Sequence, residues 1–210
     1  MAISVNRLLG GALAAAGIAA SVAVPAHAAP PANAAPPRLV LAGYGGSGCP
    51  VSAPDDTNVI INPEGTGFTA TYGRFEARGN GGEAPVQKAC SLNFKVTLSP
   101  GQQLGVRRVQ YLGEAVLNRT GRATFAAKYF WQGASRTEAL PGWSHRGEFS
   151  DSWQANHRLT EFWGSRCGGQ DQFVVTQNLA VHGSDKNMVT VDTADADYST
   201  IWELETRPCR

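Results

Sequence analysis

Along most of this chain hydrophobic and polar residues alternate with a period of two, the spacing of a strand that buries one face and wets the other. Leu92, Phe94, Val96 and Leu98 alternate with Ser91, Asn93, Lys95 and Thr97. Phe125, Ala127, Tyr129 and Trp131 repeat the pattern, Phe173, Val175, Leu179 and Val181 repeat it around polar Gln177, and Trp202 with Leu204 extends it. Shorter strands are predicted at 39–42, 59–62, 68–72 and 189–192. Between 104 and 111 the apolar phase slips by one, with Leu104 and Val106 on one parity and Val109 and Tyr111 on the other, and a bulge near Arg107-Arg108 accounts for the slip. No stretch carries a helical stripe. Turn-forming clusters at Pro63-Glu64-Gly65, Gly79-Asn80-Gly81-Gly82, Ser99-Pro100-Gly101, Asn118-Arg119-Thr120-Gly121 and Gly183-Ser184-Asp185 separate the runs. The expectation is an all-β fold, an antiparallel, jelly-roll-like β-sandwich, formed as a single domain over residues 39–210.

The start of the chain reads differently. Residues 1–28 have a charged beginning at Arg7, an apolar stretch from Leu8 to Val24 and an Ala26-His27-Ala28 exit, the pattern of a signal peptide. Four glycine and proline interruptions, Gly10, Gly11, Gly17 and Pro25, weaken the same stretch as a membrane anchor. Residues 29–38 are a Pro/Ala-rich arm whose two proline pairs favour an extended conformation, either a spacer or a segment for a partner to grip. A secreted, extracellular location follows as an expectation, with no membrane contact after cleavage.

Removing residues 1–28 takes away Arg7 and no acidic residue, leaving 17 basic against 17 acidic side chains. A neutral chain lacks the basic surplus that drives binding to nucleic acid or an anionic membrane, so neither is expected as the main partner. In an oxidising compartment Cys49, Cys90, Cys167 and Cys209 read as two disulfides with three connectivities open. The near-equal intervals favour Cys49–Cys90 and Cys167–Cys209. Zinc is disfavoured, because neither C-x-x-C nor H-x-x-x-H spacing is present.

Four segments in this order carry a family resemblance: Gly46-Ser47-Gly48-Cys49-Pro50, Ala89-Cys90-Ser91-Leu92-Asn93-Phe94 leading into Ser99-Pro100-Gly101, Tyr111-Leu112-Gly113, and Trp163-Gly164-Ser165-Arg166-Cys167-Gly168. Together they resemble the secreted actinobacterial and fungal family known as domain of unknown function 4360, over about Leu39 to Arg210. Ala89 and Arg166 depart from the residues common at those positions in the family and leave the cysteine framework intact. The resemblance implies a secreted β-rich module and brings no catalytic residues.

Candidate chemistry is sparse. His157 and Glu161 share a strand parity within the 153–163 run, but four residues at ~3.3 Å each place them about 13 Å apart, too far to share a proton. His145 and His182 have no nucleophile placed by spacing. Ser144-His145 lacks the second glycine of a G-x-S-x-G elbow, since Arg146 occupies that position. The Gly45–Gly48 loop lacks the Lys-Ser/Thr ending of a phosphate loop and reads as a tight turn before Cys49. Asp192, Asp195 and Asp197, with Asp171 elsewhere, are calcium candidates without EF-hand spacing, and turn formation is the plainer role. No cofactor signature is present. Trp143, in the turn-rich 140–144 segment, is the tryptophan least explained by a core and the first candidate for a surface contact, whereas Trp131, Trp153, Trp163 and Trp202 lie on strand-like runs. Arg107, Arg108, Arg119 and Arg122 gather around one predicted hairpin as a candidate surface for an acidic partner, or as a solvated edge. Asn118-Arg119-Thr120 is a formal N-glycosylation triplet.

These readings point to a secreted non-enzymatic binding module. The favoured ligand is another extracellular protein, held either as by an adaptor in a secreted complex such as an antagonistic toxin assembly or as by a protease inhibitor. A carbohydrate or cell-wall binding module using Trp143 is the alternative, and a hydrolase built on His157 and His145 is a third.

Overall fold

A computed structural model describes residues 35–191 and 200–209; the signal segment, the first part of the arm and the Asp192, Asp195 and Asp197 cluster lie outside the described residues. Among the described residues twelve strands follow in chain order: β1 (Arg38–Gly45), β2 (Thr57–Ile61), β3 (Gly67–Tyr72), β4 (Glu76–Arg78), β5 (Val86–Leu98), β6 (Gln102–Leu117), β7 (Arg122–Trp131), β8 (Glu138–Arg146), β9 (Phe149–Arg158), β10 (Gly169–His182), β11 (Met188–Thr190) and β12 (Thr200–Pro208). Their burial alternates as the sequence alternates. In β7, for example, Ala123, Phe125, Ala127, Tyr129 and Trp131 are buried while Arg122, Thr124, Ala126 and Lys128 are exposed.

The strands form two sheets. A front sheet of five has the order β1-β5-β10-β7-β8, and a back sheet of seven has the order β2-β3-β12-β6-β11-β4, with β9 on the other edge of β6. Every pairing is antiparallel. From β5 to β7, and again from β8 to β11, each connection carries the chain to the other sheet, the exchange expected of a jelly-roll-like sandwich. The expected bulge lies where the phase slips: Glu203 faces Arg108 and Leu204 faces Val106, so Arg107 is the extra residue. That one residue lets both apolar parities of β6 point into the same core.

The inward rows of the two sheets meet in an aromatic layer. Trp202 of β12, fully buried, reaches Phe68 at 5.7 Å, Phe173 at 5.7 Å, Tyr129 at 6.0 Å and Tyr111 at 6.1 Å between ring centroids, gathering β3, β10, β7 and β6 around one side chain. Deleting such a ring costs about 3–5 kcal/mol. Gln177, the polar residue on an apolar parity, is fully buried and donates from Nε2 to the Tyr72 hydroxyl at 2.6 Å, a polar link from β10 to β3 across the layer.

Both favoured disulfides are present, Cys49–Cys90 and Cys167–Cys209, with sequence separations of 41 and 42 residues. By loop-closure entropy each stabilises by about 4 kcal/mol. Their surroundings differ. Cys49 and Cys90 are buried, and the turn ahead of them is tight: at Gly46, with φ 141°, an added Cβ would come within 2.1 Å of the Ala89 carbonyl. Cys167, by contrast, is exposed and joins the start of β10 in the front sheet to the end of β12 in the back sheet.

Two measurements follow. Under graded reductant Cys167–Cys209 is expected to open first, with Cys49–Cys90 holding until the fold is lost; alkylation mass spectrometry that labels Cys49 and Cys90 first would contradict this packing. The hydroxyls of Tyr111 and Tyr129 are pushed well above the usual phenol value, mainly by burial; Tyr72 adds to the shift at Tyr111, and Glu138 adds to that at Tyr129 against an opposing Arg136. Unfolded tyrosine releases its proton near pH ~10 while the folded rings keep theirs, so this contribution is complete below pH ~10 and is lost as pH climbs toward the folded values. Tm is therefore expected to fall above pH ~10, and phenolate absorbance rising at unchanged Tm would show the rings to be accessible.

Candidate functional site

At one end of the sandwich several short segments converge. Pro37 is buried and its carbonyl abuts Gly65 in the β2–β3 turn, where φ is 65° and an added Cβ would lie 1.9 Å from that oxygen. Ala35 accepts a hydrogen bond from the Ser99 hydroxyl at 3.4 Å, so the root of the arm lies against the β5–β6 turn. Cys209 N–H donates to the Gly101 carbonyl at 2.9 Å and Gly168 N–H to the Gln102 carbonyl at 2.8 Å, bringing the Cys167–Cys209 bridge to the same rim.

Beside the bridge the loop into β10 is organised by Asp171. Its side chain is 1% exposed, and it accepts from the Arg166 N–H at 2.9 Å, the Gln172 N–H at 2.8 Å and the Arg166 guanidinium at 3.5 Å. Both carboxylate oxygens thus hold the loop in place. The result is a groove of about 400 Å³ on the outer side of the front sheet, lined mainly by Lys95, Thr97, Gln132, Arg166, Gln170 and Gln172. Register explains the assembly, since Lys95 faces Gln172 and Thr97 faces Gln170 across β5 and β10, and Gln132 follows β7 beside Gln172. The lining offers amides, one hydroxyl and two cations, groups that hold a ligand by hydrogen bonds and charge.

The other expected residues fall elsewhere. Trp143 does not sit in a free turn: β8 continues through Leu140–Ser144, and the one extra residue between Leu140 and Trp143 is absorbed by a register shift against Phe125 and Ala127. Its half-buried ring stacks on Trp153 at 5.1 Å and contacts Phe149 at 5.6 Å, so most of its apolar surface is spent on packing. Trp163 is also half-buried, lying outside any strand between Tyr129 at 5.3 Å and the Arg136 guanidinium at 5.4 Å.

The four arginines do not gather. Arg108 lies on the back sheet, paired with Glu203 at 3.2 Å and hydrogen-bonded to Gln110, with Arg107 exposed in the bulge beside it. Arg119 lies in the turn beyond the far end of β6, and Arg122 opens β7 on the other sheet. The strand expected to carry both His157 and Glu161 ends at Arg158, and Glu161 instead lies 4.0 Å from Arg136. Ser144 is exposed while His145 turns inward against Phe149 at 4.6 Å, as adjacent residues of a strand must. In the Gly45–Gly48 turn the Gly48 N–H is used on the Ala89 carbonyl and the Ser47 hydroxyl accepts from the Ala89 N–H. Asn118 donates its side-chain amide to Ser184 at 3.1 Å and accepts from Thr120, so the atom that would carry a glycan is engaged within the fold. Among the described residues no group of three His, Cys, Asp or Glu is arranged for a metal.

Sequence reading missed the groove, although its signal was there. Lys95, Thr97, Gln170 and Gln172 are the polar alternates of two strands, and only the knowledge that β5 and β10 are neighbours places them side by side.

A family model described as a domain of unknown function, DUF4360, matches residues 36–209. No curated protein matches the chain. Among solved structures, the enzymatically active domain of bacteriophage CBA120 tailspike protein 4 aligns with 74% of this chain and 19% of its own length, at 13% identity and a TM-score of 0.19. The chain thus spans about a fifth of that protein. A family 11 carbohydrate-binding module from Clostridium thermocellum, in complex with a mixed-linked tetrasaccharide, aligns with 75% of this chain and 88% of its own at 10% identity and a TM-score of 0.18. Likeness at this level carries no argument about function.

Because the Trp143 ring is built into the aromatic packing, Trp143→Ala is expected to destabilise the fold by about 3 kcal/mol, the lower end for a large aromatic truncation. Unchanged thermal unfolding of that variant would return Trp143 to the surface.

Proposed function

The chain belongs to the DUF4360 family, whose description assigns no activity, and from that premise we propose that it is a secreted, non-enzymatic binding module that holds another extracellular protein. The observation that carries this reading is the anchoring of the arm beside the groove. Pro37 is buried against the β2–β3 turn and Ala35 lies on Ser99, which follows the end of β5 two residues after groove-lining Thr97.

An extended Pro/Ala segment loses little conformational entropy when gripped, because it is already restricted. The rim supplies the second half of the contact. Its turns are braced by Cys167–Cys209 and by the Asp171 network, so the groove residues are presented by a rigid frame and little ordering cost falls on binding. An adaptor within a secreted assembly or an inhibitor of a secreted protease would both use this arrangement, the arm entering the partner while the groove fixes orientation.

Affinity purification of the tagged, mature protein from its native culture medium should return a stoichiometric protein partner. Deletion of residues 29–36 should lose it, as should Lys95→Ala combined with Gln172→Ala, both at unchanged Tm because neither change touches the core. A partner that survives both changes, or no partner in repeated purifications, would remove the proposal.

A further inference from the structure

The near-neutral composition conceals a division of charge between the two sheets. The five front strands contain only two acidic residues, Asp171 and Glu138, and both are on inward rows, Asp171 buried opposite Val96 and Glu138 opposite Tyr129. The outward positions of the same strands carry Arg38, Lys95, Arg122, Lys128 and Arg146, with His182 besides. On the back strands charges of both signs mix and pair, as in Arg78 with Glu76, Arg108 with Glu203 and Arg207 with Glu205.

At the end of the front sheet remote from the groove the cations stand side by side. There Arg122 of β7 stands directly opposite Arg146 of β8 on one side and His182 of β10 on the other, and Arg119 lies in the turn that leads into β7. Like charges in directly opposed cross-strand positions repel. No ion pair among the described residues relieves them: Arg119, Arg122, Lys128 and Arg146 have no carboxylate partner, and exposed Glu148 and Asp185 in the adjoining turns do not pair with them. Every one of these four cations is solvent-exposed.

Between this corner and the groove the outward positions of β7, β10 and β5 carry Thr124, Lys128, Thr176, Asn178, Ser91 and Asn93, interleaved with apolar Ala126, Phe130, Val174, Ala180 and Ala89. Lys128 is six residues along β7 from Arg122, about 20 Å at ~3.3 Å per residue. We propose that the end of the front sheet's outer face remote from the groove is a binding site for an acidic polysaccharide, with Arg122, Arg146 and Arg119 holding its anionic groups and the neighbouring Thr124 hydroxyl and Asn178 amide holding sugar hydroxyls. The site is independent of the protein contact proposed above, because His182 and Gln172 are ten residues apart on β10, about 33 Å.

The test is titration of the mature protein at low and moderate salt with polygalacturonate, dextran sulfate, neutral dextran and duplex DNA. Binding is expected to polygalacturonate or dextran sulfate, weakening as salt rises, with none to neutral dextran. Carboxylate and sulfate sources are told apart by which of the two binds more tightly. Arg122→Gln with Arg146→Gln should lose at least tenfold in affinity while Tm stays level or rises, since the substitution removes a repulsion. Lys95→Ala with Gln172→Ala should retain the affinity, which separates this site from the protein contact. Equal binding by the double arginine variant, equal binding of neutral dextran, or tighter binding of DNA than of either acidic polysaccharide would overturn the proposal.

Discussion

The contact on which the rest of the structure depends is the aromatic layer around Trp202. One side chain from the back sheet touches rings from β3, β6, β7 and β10, and so ties the two sheets at a fixed rotation and register. With that layer set, parity leaves no freedom: every second residue of β5, β7 and β10 is committed inward, and its neighbours must face water. Both the groove and the cationic rows are made of those neighbours. Their positions are set by the core, although none of them contributes to it.

The two disulfides serve different parts of this arrangement. Cys49–Cys90 lies within the packed interior and fixes the turn after β1 onto β5. Cys167–Cys209 fastens a front strand to a back strand at the rim, where the inward rows run out and packing alone would let the turns move. The buried Asp171 carboxylate extends the same bracing into the loop ahead of β10. Rigidity therefore reaches the edge of the sandwich, and the groove is built there from side chains on well-held backbone.

How much of this was legible in the sequence depends on the range of the interaction involved. Alternation is local, so β5, β7, β10 and β12 and the bulge at Arg107 could be read directly. Trp143 was misplaced because Pro141 and Gly142 signal a turn, while the strand admits them through a register shift that only its partner β7 reveals. The arginines were grouped by closeness along the chain, whereas the length of β6 separates Arg107 and Arg108 from Arg119 and sheet order separates them from Arg122. The charge division between faces was invisible for the same reason. It is a property of strand order and parity together, and a net charge averages it away.

The place of β12 has a consequence for how the chain reaches this state. The last strand of the domain in chain order is an internal one, inserted between β3 and β6, and it brings Trp202 with it. Until it arrives, two strands lack a neighbour and the aromatic layer lacks its centre. The domain therefore cannot be completed progressively from its first strand to its last. The earlier strands must wait with unpaired edges, the state in which β proteins aggregate most readily, and folding concludes in one late, cooperative step.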